Sequence, residues 1–135
     1  MPFNLERWNI GRQVEDEILP HLNKHFECDF QRSDDIFDIL DFRDEEKKII
    51  VEVKGRSNKS DQYPTTIITC GKLTEGLKQV DLGYKVYYFF VFKDKVGVLK
   101  LDPDDCDFNM KLTGTNHIPH YLIPIDRLED FNVDE

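Results

Sequence analysis

The run Tyr84–Phe92 constrains this chain more than any other segment. Its nine residues, Tyr-Lys-Val-Tyr-Tyr-Phe-Phe-Val-Phe, hold a single charge and show no apolar/polar alternation. A half-exposed strand alternates, whereas a strand covered on both faces reads as near-continuous apolar sequence. The run is therefore expected to be a buried strand. Its aromatics are read as core rather than as a platform for stacking bases.

The flanking segments supply the layers that such a strand needs. From Asn9 to Phe26, Ile10, Val14, Ile18, Leu22 and Phe26 recur every four residues, and Leu19 widens the stripe, which predicts an amphipathic helix. Pro20 lies inside it and predicts a kink or a break into two pieces. A strand is expected near Glu27–Gln31. Ile36–Phe42 and Lys48–Lys54, separated by Arg43-Asp44-Glu45-Glu46-Lys47, read as a hairpin. Ser57–Pro64 is polar and reads as a mobile loop. Thr65–Thr69 follows as a short strand, and Lys72–Leu82 as a helix closed by Gly83. Val96–Leu101 returns as the hairpin partner of the apolar run, and Tyr121–Ile125 is a further strand candidate. The fold class is α/β.

Size and composition limit what can be built around this core. With 135 residues, 39% hydrophobic and 33% charged, the chain has apolar mass for one domain, spanning 1–135, and too little for two. No apolar stretch approaches the ~20 residues that cross a bilayer, and no basic start precedes an apolar segment. A soluble protein without a membrane partner is expected. Cys28, Cys70 and Cys106 are odd in number and widely spaced, which suits reduced thiols in a cytoplasmic setting. His21 and His25 share a helix face, but no third ligand of zinc type accompanies them.

The net charge of −9 conceals an uneven distribution. Residues 1–46 carry a balance of −8, residues 47–100 one of +6, and residues 101–135 one of −7. A uniformly acidic chain would repel a phosphate polymer. A basic middle keeps nucleic acid possible as a partner, provided the cations converge on one surface.

Chemistry concentrates in the hairpin. A turn centred on Glu45, with Arg43 facing Lys47, makes opposed positions sum to 90, so Asp38 faces Glu52 and Lys54 lies one step along on the same face. Directly opposed Cβ atoms stand about 4.5–5.5 Å apart, so the two carboxylates can meet. Their repulsion within otherwise apolar strands requires compensation. Mg²⁺ provides it, taking one or two carboxylates and filling its remaining positions with water and phosphate. Lys54 helps to neutralise the pair and is placed for an attacking water or a phosphate oxygen. Asp41 is a rival ligand that this register sends to the opposite face. A charged sheet edge exposed to water is the plainer alternative.

Asp38 within Ile36-Phe37-Asp38-Ile39-Leu40, followed by Glu52-Val53-Lys54, resembles the motif of the PD-(D/E)xK nuclease superfamily. Phe37 stands where the motif's proline would be. Gly11-Arg12-Gln13-Val14-Glu15 is similar to the first helix of restriction-endonuclease-like and Holliday-junction-resolvase-like members. The resemblance spans about residues 10–100 and leaves the extension from about 102 to 135 unexplained. It implies an α-β-β-β-α-β core with a central mixed sheet flanked by helices, and a Mg²⁺-dependent endonuclease, with Mn²⁺ able to substitute. Asp38, Glu52 and the Val53 carbonyl would hold the metal, Glu15 would support it, and Lys54 would orient or activate water. Arg56, Lys72 and Gln79 are candidates for substrate contact, and Lys72 stands near a helix N-terminus that favours phosphate. DNA is the expected substrate and a homodimer the expected assembly, with RNA left open. The competing class is a non-catalytic nucleic-acid- or protein-binding module that keeps the nuclease fold.

Overall fold

A computed structural model describes residues 11–32, 40–113 and 118–132. Two helices and nine strands are arranged around two sheets among these residues. They are α1 (Gly11–Phe26), β1 (Gln31–Arg32), β2 (Phe42–Asp44), β3 (Ile49–Gly55), β4 (Thr65–Thr69), α2 (Cys70–Asp81), β5 (Lys85–Val91), β6 (Val96–Lys100), β7 (Asn109–Thr113), β8 (Ile118–Pro124) and β9 (Glu129–Phe131). The main sheet runs β1-β2-β3-β5-β6-β9, and a smaller one runs β4-β8-β7. β1, β2 and β3 form an antiparallel meander, and β5 lies parallel to β3 after the α2 crossover. The main sheet is therefore mixed, and the order reproduces the α-β-β-β-α-β core with β4 inserted before α2.

The Tyr84–Phe92 run is central, as its composition requires. β5 sits between β3 and β6, and Val86, Tyr88, Phe89, Phe90 and Val91 are buried. Because side chains alternate, the strand feeds two cores. Phe89 and Val91 join Val14, Ile18 and Leu22 of α1, together with Phe42, Val51 and Val53. Val86, Tyr88 and Phe90 join Ile50, Leu73 of α2, Ile68 of β4 and Ile123 of β8. Each fully buried aliphatic or aromatic side chain contributes about 1.5–3 kcal/mol. The sheet is thus covered by α1 on one face and by α2 with the small sheet on the other.

Several expectations change in detail. α1 runs as one element through Pro20 rather than as two pieces. Pro20 is on the exposed side, so the carbonyl that its ring leaves without an amide is that of Asp16, an exposed position beside water. The strand expected at Glu27–Gln31 shrinks to Gln31–Arg32, because Glu27 takes φ 53° and turns the chain away from the helix. The Ile36–Ile39 part of its successor lies outside the described residues, and β2 is Phe42–Asp44. The 57–64 loop is tied down at its centre: the Ser60 amide and hydroxyl donate to the Asp94 carboxylate at 2.8 and 2.7 Å. α2 starts two residues earlier than its apolar pattern suggests, where the Thr69 hydroxyl accepts from the Lys72 amide.

The segment after Asp102 joins both sheets. β7 and β8 complete the small sheet against β4, and β9 forms the edge of the main sheet beside β6. β9 escapes sequence reading because it is a three-residue edge strand without alternation, whereas β7 alternates as Asn-Met-Lys-Leu-Thr but lies at an edge with Met110 and Leu112 exposed. Cys28, Cys70 and Cys106 are free thiols. Among the described residues, no helix is long and apolar enough to cross a membrane.

Candidate active site

The hairpin register differs from the expected one by three positions, and this changes which acid meets Glu52. β2 and β3 pair with Phe42 opposite Val51, Arg43 opposite Ile50 and Asp44 opposite Ile49, so opposed positions sum to 93. The cause lies in the turn. The Asp44 carboxylate accepts from the Lys47 amide at 3.0 Å, and Lys48 adopts φ 59°. The loop therefore occupies Glu45–Lys48 instead of being centred on Glu45. A second Asp44 bond, from the Asp29 amide at 2.9 Å, holds this turn against the preceding segment. Those backbone donors keep the Asp44 carboxyl below its ordinary pKa.

Extended by one pair, this register sets Asp41 across from Glu52. The Asp41 amide donates to Glu52 Oε2 at 3.2 Å, and the Val53 amide donates to Asp41 Oδ2 at 2.8 Å. Asp38 lies outside the described residues. The register of 90 that paired it with Glu52 is corrected by the strand pairing, which moves Asp41 to the face that the expected register denied it.

Glu52 is fully buried, with no exposed side-chain surface. Lys54 Nζ stands 3.5 Å from Glu52 Oε1, and Lys72, in the first turn of α2, donates to the same oxygen. Burial, followed by the charge of Asp41, pushes the Glu52 carboxyl up to about 7, against the opposing influence of Lys72 and Lys54. Burial holds the Lys54 ammonium below the usual lysine range, and the like charge of Lys72 adds to this while Glu52 opposes it. Burial also works against the charge of Lys72, but its ion pair and hydrogen bond with Glu52 outweigh it and raise its pKa.

The other candidates fall in different places. Glu15 pairs with Arg32 at 2.5 Å. Arg32 in turn lies over the Phe42 ring, 5.1 Å from its centroid. Arg56 turns away from the polar loop. Its Nε donates to Thr66 Oγ1 at 3.1 Å, another of its nitrogens donates to the Ile67 carbonyl, and its guanidinium lies over Phe90. Gln79 is buried and donates to Glu75 at 3.0 Å, about 10 Å along α2 from Lys72 at 1.5 Å per residue. Lys59 and Lys78 are exposed.

The donor set that converges is made of hard oxygens: the carboxylates of Asp41 and Glu52, with the Val53 backbone next to them. Among the described residues, no group of three or more His, Cys, Asp or Glu side chains converges to hold a metal ion. Asp41 and Glu52 offer carboxylate oxygens and neither thiolate nor imidazole, so a soft tetrahedral site is not what they form. Two carboxylates suit a hard divalent cation, which retains water and takes substrate oxygen in its remaining positions.

A mixed sheet flanked by helices, with an acid just before β2 set against the Glu-Val-Lys triplet of β3, defines a chain of the PD-(D/E)xK nuclease superfamily. Residues 9–116 match the family model described as "Phage putative PDDEXK endonuclease", and the chain belongs to that family. No curated protein and no solved structure gives a significant match.

Proposed function

We propose that this chain is a Mg²⁺-dependent endonuclease that hydrolyses phosphodiester bonds in DNA, with Mn²⁺ able to replace Mg²⁺. The observation that carries this reading is a fully buried Glu52 beside a second carboxylate, with two ammonium groups turned toward it. A sheet interior built only for stability has no use for such a cluster, since burying ion pairs rarely beats apolar packing. Asp41 and Glu52, with the Val53 carbonyl, would hold the cation. Asp41 thereby takes the part that the expected register gave to Asp38, while Glu15 remains a more distant support.

A cation held there lowers the pKa of its bound water and offsets charge that develops on phosphate oxygens. The chain's own residues do the rest. Lys54, with its pKa held down by burial, orients the attacking water and exchanges a proton with it. Lys72 offers a second ammonium to a non-bridging phosphate oxygen, at a helix N-terminus that already favours anions. Arg56 acts by fixing β4 against β3 rather than by touching substrate, and Gln79 by bonding Glu75 within α2. A homodimer would give each strand of a duplex its own site. The edge strand β7, with exposed Met110 and Leu112, is the candidate contact.

A panel of duplex, branched and single-stranded DNA and of RNA, incubated with Mg²⁺ and with EDTA, tests this reading. Cleavage of DNA that requires the metal and is lost in Lys54→Gln is the expected result. The competing reading is a non-catalytic nucleic-acid- or protein-binding module that keeps this fold, in which Lys54 and Lys72 would serve only to offset the Glu52 charge. Absence of cleavage across the panel, with tight nucleic-acid or protein binding retained, would decide for that module.

A further inference from the structure

Two costly residue choices meet beneath the first turns of α2. Tyr88 is fully buried in β5, beside Phe89 and Phe90, which fill similar space without a hydroxyl. A buried hydroxyl is unfavourable unless it is hydrogen-bonded. Gly76 stands inside α2, where glycine is a poorer helix former than alanine. A phenylalanine with an alanine would meet both packing and helix propensity at lower cost, so the observed pair needs another explanation.

The two choices are coupled. A Cβ on residue 76 would lie 2.0 Å from the Tyr88 hydroxyl oxygen, so α2 can settle onto that hydroxyl only at a glycine. The hydroxyl donates to the Lys72 carbonyl at 2.9 Å. Tyr88 is also the register partner of Glu52 across the parallel β3–β5 pair. One side chain thus links the strand position beside the buried carboxylate to the backbone of the lysine that pairs with it. Burial, together with the nearby charges of Glu52 and Glu75, keeps the phenol protonated well above neutral pH, so the donor is always present.

We infer that Tyr88 is a positioning residue whose hydroxyl, admitted by Gly76, sets the backbone of Lys72 at the height from which its ammonium reaches Glu52. The positioning stands on the geometry alone, and its effect on cleavage rests on the nuclease reading proposed above. Tyr88→Phe removes the hydroxyl and keeps the ring, so it leaves the core filled. Gly76→Ala pushes α2 off the same contact from the other side.

The experiment compares Tyr88→Phe in two backgrounds, wild type and Lys72→Gln, with two readouts. In the metal-free protein, the side-chain ¹⁵N signal of Lys72, identified by its loss in Lys72→Gln, moves in Tyr88→Phe while that of exposed Lys100 stays. In cleavage assays, Tyr88→Phe lowers kcat about tenfold in the wild-type background with KM nearly unchanged, and less than twofold when Lys72 is already Gln. A Lys72 signal indifferent to Tyr88→Phe overturns the inference, as does an equal loss of kcat in both backgrounds. If the wild type cleaves nothing, the nuclease reading fails and the Lys72 signal alone decides the positioning role.

Discussion

The Asp41 amide donates to the Glu52 carboxylate, and the Asp41 carboxylate accepts from the amide of Val53, the residue after Glu52. Two acids on adjacent chain segments are thus held by each other's backbone, not merely by proximity. Their closeness survives electrostatic repulsion because each carboxylate has a donor fixed by the main chain.

This relationship separates the two candidate acids. Asp41→Asn is expected to weaken Mn²⁺ affinity at least tenfold and to reduce cleavage by two orders of magnitude or more. Asp38→Asn should retain most of both. Calorimetric titration with Mn²⁺ and single-turnover cleavage of the two variants check this, and the reverse ranking would restore Asp38.

Glu52 sets a pH dependence whose sign is fixed by its raised pKa. The folded protein takes up this proton more readily than the unfolded chain, so the Glu52 contribution to stability is fully present below the ordinary glutamate pKa of 4.5 and is lost as pH rises through about 7. Glu52→Gln, which imitates the protonated acid, should gain on the wild type between pH 5 and 8, by on the order of 2 kcal/mol. Urea denaturation of the metal-free proteins across that range measures it, and a flat difference would show that the carboxylate stays ionised throughout.

Lys72 lowers the pKa of Glu52, by its charge and through its hydrogen bond. Lys72→Gln should therefore move the Glu52 carboxyl upward from about 7, visible as a shifted midpoint in a ¹³C-carboxyl titration of the metal-free protein. The same variant should lose cleavage about 100-fold. An unmoved midpoint would mean that the ion pair is absent in solution.

Arg56 illustrates a different assignment. Its side chain joins the end of β3 to Thr66 and Ile67 of β4 and lies over Phe90. Arg56→Ala should cost about 2–3 kcal/mol in stability, because a hydrogen-bonded and largely buried cation is removed. At temperatures where the variant remains folded, its KM for DNA should stay within twofold of wild type. A large rise in KM with unchanged stability would return Arg56 to the substrate path.

The legible part of this protein is the part written in long apolar periods. α1 follows from the four-residue recurrence of Val14, Ile18 and Leu22. β5 follows from its unbroken aromatic run, and the end of α2 from Gly83, which takes φ 99°. The Glu-Val-Lys triplet was legible because alternation within one strand fixes which residues share a face. What alternation cannot supply is the offset between strands. That offset was set by a local contact, the Asp44 carboxylate on the Lys47 amide, which lengthens the turn and replaces Asp38 by Asp41 opposite Glu52. Asp44 three residues before Lys47 was the available signal, since aspartate side chains commonly close such turns on nearby backbone amides. Contacts between distant segments left no mark of this kind. The approach of Lys72 to Glu52 and the fit of Tyr88 under Gly76 arise only once α2 has folded over the sheet.

The central claim, that Asp41 and the buried Glu52 together form a divalent-cation site, is tested most directly by calorimetric titration of Mn²⁺ into the intact wild-type protein and into Glu52→Gln at pH 8, where the wild-type carboxylate is ionised. The account predicts saturable binding near one ion per chain in the wild type and at least tenfold weaker binding in the variant. Equal affinity in both proteins, or no binding by a folded wild type, would contradict it.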